Sequence, residues 1–116
     1  MKRVLIVDDI RINLMILEAK ATNIGCQCEV VESGARALEV LDTFKPDIIL
    51  TDLWMPEMNG DQLAENIRKL PNYQELPIFV VTADSDDSTE FNFSVFTGMI
   101  QKPIDDQRLK EVLAPE

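Results

Sequence analysis

The sequence predicts an α/β domain in which a five-stranded parallel sheet carries helices on both faces. Short apolar segments alternate along the chain with longer segments whose apolar residues recur every three or four positions. The short segments have the length of buried strands, and the longer ones have the period of amphipathic helices. Strict alternation favours parallel strands joined by right-handed helical crossovers. At 116 residues the chain has the length of one domain, which we expect to span residues 1–116.

Three of the five predicted strands are continuously apolar, which is typical of central strands that are buried on both faces. The first strand covers residues 4–7, the third 47–51 and the fourth 78–81. The second strand, residues 28–31, and the fifth, which ends near Gln101, are less apolar and suit the flanks. The spatial order 2-1-3-4-5 satisfies these requirements and places the switch point of the sheet between strands one and three.

Five helices are predicted to follow these strands, each with one apolar face. The first follows Asp9, turns Leu14, Leu17, Ala21 and Ile24 inward, and ends at Gly25. The second begins at a capping Ser33 and stops before Pro46. The others are predicted after Gly60 with Leu63, Ile67 and Leu70 inward, from residue 84 to about Val95, and after a cap at Asp105 or Asp106 with Leu109, Val112 and Leu113 inward.

Polar residues directly follow four of the predicted strands. Asp8 and Asp9 follow the first strand, and the others are Asp52, Thr82 and Lys102 in chain order. Because strand ends of one polarity share one edge of a parallel sheet, we expect three carboxylates, a hydroxyl and an ammonium in one pocket. This set of groups suits the transfer of a phosphoryl group to a carboxylate with the help of Mg²⁺.

Each of these residues also has a purely structural explanation. Asp8 and Asp9 could cap the first helix, Asp52 could be a turn residue, and Lys102 could be a solvated surface lysine, while Thr82 is ordinary at a strand end. That explanation requires four coincidences at one edge of the sheet. Clustered carboxylates also repel one another, so their clustering costs stability and favours a functional site.

Composition narrows the possible functions. With 21 acidic against 11 basic residues the net charge is −10, which argues against direct binding of nucleic acid and is compatible with Mg²⁺, with a basic protein partner or with simple solubility. The absence of histidine excludes a histidine-based triad, metal site or phosphodonor within this sequence. No apolar run approaches the roughly 18 residues of a membrane span, so we expect no membrane insertion and a cytoplasmic location.

Together these motifs resemble the receiver domain of bacterial two-component response regulators over essentially the full length. Asn13 adds a weaker similarity to receivers attached to hybrid sensor kinases. The resemblance implies the flavodoxin-like strand order, which is therefore not an independent result, and a cis bond between Lys102 and Pro103. The matching motifs are Asp8-Asp9, Asp52 followed by Leu53-Trp54-Met55-Pro56 and Gly60, Thr82-Ala83, and Lys102-Pro103.

The resemblance also implies a role for each site residue. Asp52 would accept the phosphoryl group as an acyl phosphate. Mg²⁺ would be held by Asp8, Asp9, Asp52 and a backbone carbonyl, for which we favour Trp54 over Met55. Lys102 would pair with the phosphoryl oxygens, and Thr82 would donate its hydroxyl to them. Such a domain catalyses its own phosphorylation and slow dephosphorylation, but it is a signalling switch rather than a metabolic enzyme.

The implied partners lie upstream and downstream of this site. A sensor histidine kinase or a histidine phosphotransfer protein would supply the phosphoryl group from its phosphohistidine. Phosphorylation would then reshape the face formed by the fourth predicted helix, the fifth strand and the fifth predicted helix, where a downstream protein binds. Trp54 and Asp84, each two positions after a site residue, are expected to tune the lifetime of the acyl phosphate, so that replacing Trp54 with Asn alters dephosphorylation.

Two departures from the family pattern support a second hypothesis. Met99 stands where the family has an aromatic residue, and the segment between Thr82 and Lys102 is short. Phe91, Phe93 and Phe96 fall in that segment; either all three are buried by local repacking, or at least one is exposed on a partner surface. The second hypothesis is a degenerate receiver that docks proteins without phosphorylation.

Two further alternatives share the fold class but match the residues less well. An aspartyl phosphatase of the haloacid dehalogenase type has two aspartates two positions apart on its first strand, and the adjacent Asp8 and Asp9 do not match this spacing. A flavodoxin requires a phosphate-binding loop after the first strand, where Asp8 and Asp9 would repel a flavin phosphate.

Overall fold

A five-stranded sheet forms the centre of the computed structural model, which describes residues 1–83 and 91–114. All neighbouring strands in it are parallel. Its elements in chain order are β1 (Arg3–Val7), α1 (Arg11–Ile24), β2 (Gln27–Val31), α2 (Gly34–Phe44), β3 (Ile48–Asp52), α3 (Gly60–Arg68), β4 (Ile78–Thr82), a 3₁₀ helix (Phe93–Val95), β5 (Gly98–Gln101) and α4 (Asp106–Leu113).

The strand order is β2-β1-β3-β4-β5, which confirms the predicted topology. Val7 pairs with Thr51 of β3, and Asp52 pairs with Val81 of β4, so the carboxyl ends of the three central strands lie side by side. β3 begins and ends one residue later than predicted, which makes Asp52 its last residue. The sheet therefore brings the ends of β1, β3 and β4 together at one edge.

Two apolar cores cover the two faces of the sheet. Val4 and Ile6 of β1 contribute to the core shared with α1 and α4, whereas Leu5 and Val7 contribute to the core shared with α2 and α3. This separation follows from the period of two along a strand, which turns successive side chains to opposite faces. Burial on both faces explains why the central strands are continuously apolar, and it confirms the prediction of helices on both sides.

The helix ends follow the expected capping residues. Gly25 ends α1 with φ of 108°, a left-handed conformation that glycine adopts without steric cost. The hydroxyl of Ser33 accepts a hydrogen bond from the third backbone amide after it, and Asp105, rather than Asp106, caps α4.

The third helix is shorter than its apolar period predicts: it ends at Arg68, and Leu70, predicted on its inner face, is exposed. None of the described helices is long and apolar enough to span a membrane.

The region of the fourth predicted helix differs from expectation where the structure describes it. Residues 84–90 lie outside the described residues, and Phe93–Val95 forms a 3₁₀ helix instead of the end of an α-helix. Phe91 is buried, while Phe93 and Phe96 are half-buried in the same small cluster, which also contains Met99. One ring is therefore buried and two are partly exposed, so the structure does not decide between the two alternatives for these rings.

Arg68 connects the end of α3 to two other parts of the chain. Its guanidinium donates to the backbone carbonyls of Tyr73, Gln74 and Leu76, the last at 2.6 Å, and its Nε donates to the carbonyl of Val95 at 3.3 Å. Burial lowers the pKa of the Arg68 guanidinium. The Arg68 side chain therefore links the end of α3 both to the segment before β4 and to the 3₁₀ helix.

We predict that Arg68→Met lowers the free energy of unfolding by about 1.5–3 kcal/mol, since methionine keeps apolar volume but cannot bind the carbonyls that a charged donor satisfies. Urea unfolding measures the change. Arg36→Met is the matched control, because Arg36 is exposed and pairs only with Glu39 at 2.8 Å among the described ion pairs. Its loss is expected to stay below about 1 kcal/mol. Equal losses in the two variants would contradict the prediction.

Candidate functional site

Three carboxylates meet at the carboxyl edge of the sheet. Oxygens of Asp8, Asp9 and Asp52 all lie within 4.8 Å of one another. Asp8 and Asp52 are buried, and Asp9 is half-buried. The sheet topology therefore assembles the acidic residues that the sequence predicted at its strand ends.

Asp8 and Asp9 occupy the turn between β1 and α1. The backbone amide of Ile10 donates to Oδ1 of Asp8 at 2.9 Å, and the side chain of Asn13 also hydrogen-bonds Asp8. Ile10 is the N-cap residue of α1, so neither aspartate occupies the capping position that the structural explanation would assign to it. The two carboxylates are turned to the site instead of closing the helix end.

Asp52, Lys102 and Thr82 lie at the ends of three neighbouring strands. Lys102 Nζ is 3.7 Å from Oδ1 of Asp52, and that oxygen also accepts a hydrogen bond from the amide of Leu53 at 2.9 Å. The backbone amide of Lys102 donates to the carbonyl of Thr82 at 2.9 Å, and Thr82 is buried. The peptide bond between Lys102 and Pro103 is cis, as the resemblance implied.

The site environment opposes ionisation of its carboxylates. Burial raises the pKa of Asp52, the negative charge of Asp8 raises it further, and the ammonium of Lys102 lowers it. Burial also raises the pKa of Asp8, against the hydrogen bond from Ile10 and the charge of Lys102, which lower it. Both shifts have the same physical origin, because desolvation and like charge each penalise the anionic form. The positive charge of Lys102 alone therefore does not offset the burial and mutual repulsion of the carboxylates, and the pKa values of Asp8 and Asp52 stay raised.

The residues present fit a magnesium ion. Oδ1 of Asp9 is buried and is the one buried side-chain oxygen or nitrogen in residues 1–83 and 91–114 without a hydrogen-bond partner. A small divalent cation beside it would supply that oxygen with a partner and relieve the repulsion within the cluster. The donors are carboxylate oxygens, which are the ligands that Mg²⁺ prefers in proteins.

The loop after Asp52 folds back against that residue. The amide of Gly60 donates to the carbonyl of Leu53 at 2.8 Å, and a Cβ at position 60 would lie 2.3 Å from the carbonyl oxygen of Asp52. No side chain fits at that distance, so this close approach requires glycine. Asn59 then caps α3 and forms a reciprocal capping box with Gln62. The glycine of the sequence motif at position 60 is therefore required by the close packing against Asp52.

Trp54 and Met99 lie beside the small apolar cluster that contains Phe91. The Trp54 side chain is exposed, and its ring meets the ring of Phe91 edge to face, with centroids 4.6 Å apart. Met99 lies in β5 opposite Val80 and is partly buried beside Phe93. Asp84, the second residue expected to tune the phosphoryl lifetime, lies outside the described residues.

Sequence reasoning missed two contacts at this site. Asn13 was noted only as a similarity to hybrid kinases, whereas its side chain hydrogen-bonds Asp8; its place in the first turn of α1 was a usable signal. The contact between Trp54 and Phe91 carried no such signal, because it joins residues that are distant in the sequence and depends on packing.

Comparison with known proteins identifies the family. The family model of the response regulator receiver domain matches residues 4–114. This chain belongs to that family. Response regulator PleD of Caulobacter vibrioides is 34% identical over 92% of the chain, and sensor histidine kinase RcsC of Salmonella typhi is 34% identical over 96% of it. The matched part is 24% of PleD and 12% of RcsC, so the receiver domain described here spans only a fraction of these relatives.

A solved structure supports the same assignment. The chemotaxis protein CheY4 of Vibrio cholerae superimposes on this receiver domain with a TM-score of 0.89 and is 27% identical. The match covers 97% of this chain and 96% of CheY4. The receiver domain is thus a two-component signalling module by family and by fold.

We predict that the metal-free receiver domain loses stability as the pH rises above about 4, near the ordinary pKa of an aspartate. The pKa values of Asp8 and Asp52 are raised in the folded state, so the folded state still holds protons that the unfolded state has released. The free energy of unfolding therefore falls as pH rises through the raised values, and it stays low above them. Urea unfolding in EDTA at a series of pH values measures this slope.

The control variants separate the cluster from other carboxylates. Asp52→Asn removes one of the three charges, so in EDTA at neutral pH it is expected to be more stable than the unsubstituted chain and to show a shallower decline. Asp106→Asn, at an exposed position of α4, is expected to keep the original slope. A free energy of unfolding that rises with pH over this range would show that the cluster does not oppose ionisation.

Proposed function

We propose that this receiver domain, spanning residues 1–116, accepts a phosphoryl group on Asp52 from the phosphohistidine of a sensor histidine kinase or a histidine phosphotransfer protein. The observation that carries the proposal is the cluster of three carboxylates within 4.8 Å, with Lys102 Nζ 3.7 Å from Asp52. A carboxylate nucleophile, a metal-binding acidic pair and a cation are the parts that such a transfer needs.

Each side chain has a part in the proposed transfer. Asp8, Asp9, Asp52 and the backbone carbonyl of Trp54 would hold Mg²⁺, which would supply positive charge against the negative charge of the incoming phosphoryl group. A carboxylate oxygen of Asp52 forms a bond to phosphorus while the phosphorus–nitrogen bond of the phosphohistidine breaks, and its electron pair stays on the imidazole. Lys102 and the hydroxyl of Thr82 then bind the phosphoryl oxygens.

In this proposal the negative charge of the phosphoryl group on Asp52 is also the signal. Movement of Thr82 and Lys102 toward the phosphoryl oxygens acts on β5 and the packed face around it, which we propose as the surface for a downstream protein. Slow hydrolysis at Asp52 resets the domain. The receiver is thus a switch that catalyses its own modification rather than a metabolic enzyme.

A second candidate is a receiver that docks proteins without being phosphorylated. Met99 favours it, because methionine lacks the aromatic edge that the family uses at this position of β5. The complete acidic cluster opposes it, since a docking module has no need of a buried, unpartnered oxygen such as that of Asp9. Phosphorylation therefore separates the two candidates.

We predict that incubation with acetyl phosphate and Mg²⁺ adds one phosphoryl group to the intact chain, as measured by mass spectrometry. Asp52→Asn is expected to gain none, whereas Asp106→Asn is expected to behave like the unsubstituted chain. EDTA is expected to prevent the gain. If the unsubstituted chain gains no mass although Mg²⁺ binding is measured independently, the docking module becomes the better proposal.

The outer face of α1 supports a protein as the donor. Ile12, Met15 and Ile16 are exposed at spacings of three and four residues, and Ile16 lines a groove that continues to Asp8 and Lys102. Exposed apolar residues grouped beside a site are typical of protein contact surfaces. A donor whose histidine reaches Asp52 would cover this face.

We predict that the double substitution Ile12→Ser with Met15→Ser slows transfer from a phosphorylated histidine kinase by about tenfold, the effect of losing one or two apolar anchors in an interface. Phosphorylation by acetyl phosphate is expected to stay unchanged, because that donor needs no docking surface. Leu70→Ser, at an exposed position after α3, is the control. Equal slowing with both donors would point to damage at the site instead.

A further inference from the structure

We infer that Phe91 is a positioning residue for Trp54, and that this aromatic pair controls how fast water removes the phosphoryl group from Asp52. The inference rests on the proposed function, because it concerns the lifetime of the acyl phosphate at that site. It goes beyond the expected effect of Trp54 itself by naming the residue that holds the indole in place.

The backbone at Trp54 is held close to the acceptor. Trp54 lies two residues after Asp52, in the loop that the amide of Gly60 closes by donating to the carbonyl of Leu53. Gly60 also packs closely against the carbonyl of Asp52, so the two ends of this loop lie together beside the acceptor. The backbone of Trp54 therefore has a fixed position near Asp52, and the direction of the indole depends on the contacts of the side chain.

Phe91 supplies a rigid contact for the indole. The two rings meet at 88° with centroids 4.6 Å apart, which is a favourable edge-to-face geometry. The Trp54 side chain is 53% exposed, whereas Phe91 is only 9% exposed and packs with Leu53 and Val80. The exposed indole of Trp54 therefore packs against the buried ring of Phe91.

Phe91 is held in place by the packing of its ring and by a hydrogen bond of the next residue. Leu53 directly follows β3 and Val80 lies in β4 two residues before Thr82, so Phe91 packs against the end of β3 and against β4. The next residue, Asn92, donates its backbone amide to the buried carboxylate of Asp61 at 2.9 Å. On its other side, the ring of Phe93 lies 6.2 Å away. The position of Phe91 is therefore determined by α3, β3 and β4 together.

The reaction that this pair affects is hydrolysis of the acyl phosphate. The oxygen of water forms a bond to phosphorus, the bond between phosphorus and the Asp52 oxygen breaks, and its electron pair returns to the carboxylate. The proton from water passes to solvent, and inorganic phosphate leaves. In this proposal the indole of Trp54, packed against Phe91, limits the approach of water to Asp52, and loss of the Phe91 ring makes that approach easier.

The test is a double-mutant cycle on the rate of dephosphorylation. The chain is phosphorylated with acetyl phosphate and Mg²⁺, freed of donor, and followed by intact mass as Phe91→Leu, Trp54→Leu, the double variant and the unsubstituted chain. Phe91→Leu is expected to speed dephosphorylation by about two- to tenfold, the range that one edge-to-face contact supplies. In the Trp54→Leu background the same change is expected to have no effect. Phe96→Leu, in the same cluster, is the control, because the ring of Phe96 pairs with that of Phe93.

A second readout follows the indole directly. Trp54 is the one tryptophan of the chain, so its fluorescence reports on this side chain alone. Acrylamide quenching is expected to increase in Phe91→Leu and to stay unchanged in Phe96→Leu. Phe91→Met, which keeps most of the apolar volume without the ring, replaces Phe91→Leu if that variant does not fold.

The outcomes separate the two proposals. Equal acceleration by Phe91→Leu with and without Trp54, or unchanged quenching, overturns the positioning role and leaves the proposed function standing. Failure of the unsubstituted chain to accept a phosphoryl group overturns the proposed function and this inference with it. Acceleration that requires Trp54, accompanied by increased quenching, supports both.

Discussion

The crowding of three carboxylates at one edge of the sheet is the constraint on which the rest of this structure depends. Asp8, Asp9 and Asp52 approach within 4.8 Å, and burial adds to their mutual repulsion. Such an arrangement destabilises a folded chain, so the surrounding elements have to hold the three residues together against their repulsion. The two apolar cores do so, because they fix β1 and β3 from both faces and leave their ends no freedom to separate. The amides of Ile10 and Leu53 and the ammonium of Lys102 then offset part of the remaining cost.

The fold and the acidic cluster could be predicted from the sequence because both depend on local patterns. Continuous apolar runs identify strands that are buried on two faces, and parallel pairing then brings the residues that follow them to one edge. Caps such as Ser33 and Gly25 are equally local. None of these inferences required knowledge of a contact between distant segments.

Where prediction failed, a distant contact decides the structure. The apolar period of α3 continues to Leu70, but the helix ends at Arg68, whose guanidinium binds carbonyls of the following loop. The residues near Phe93 were expected to end an α-helix, yet they form a 3₁₀ turn within a cluster that includes Val80 and Leu53. Helical periodicity does not contain these contacts, because they join segments that only the folded sheet brings together.

Met99 changes how a signal could leave the site. Without an aromatic residue at this position, coupling between Thr82 and β5 has to pass through the backbone and through packing. Both routes are present: the amide of Lys102 donates to the carbonyl of Thr82, and Arg108 of α4 donates to the carbonyl of Met99 at 3.0 Å. Gly98 lies so close to the ring of Phe79 that a Cβ there would be 2.6 Å from it, which leaves β5 little room to slide against β4. In the proposed switch, a shift of Lys102 toward a phosphoryl group would act on β5 and α4 through these two hydrogen bonds.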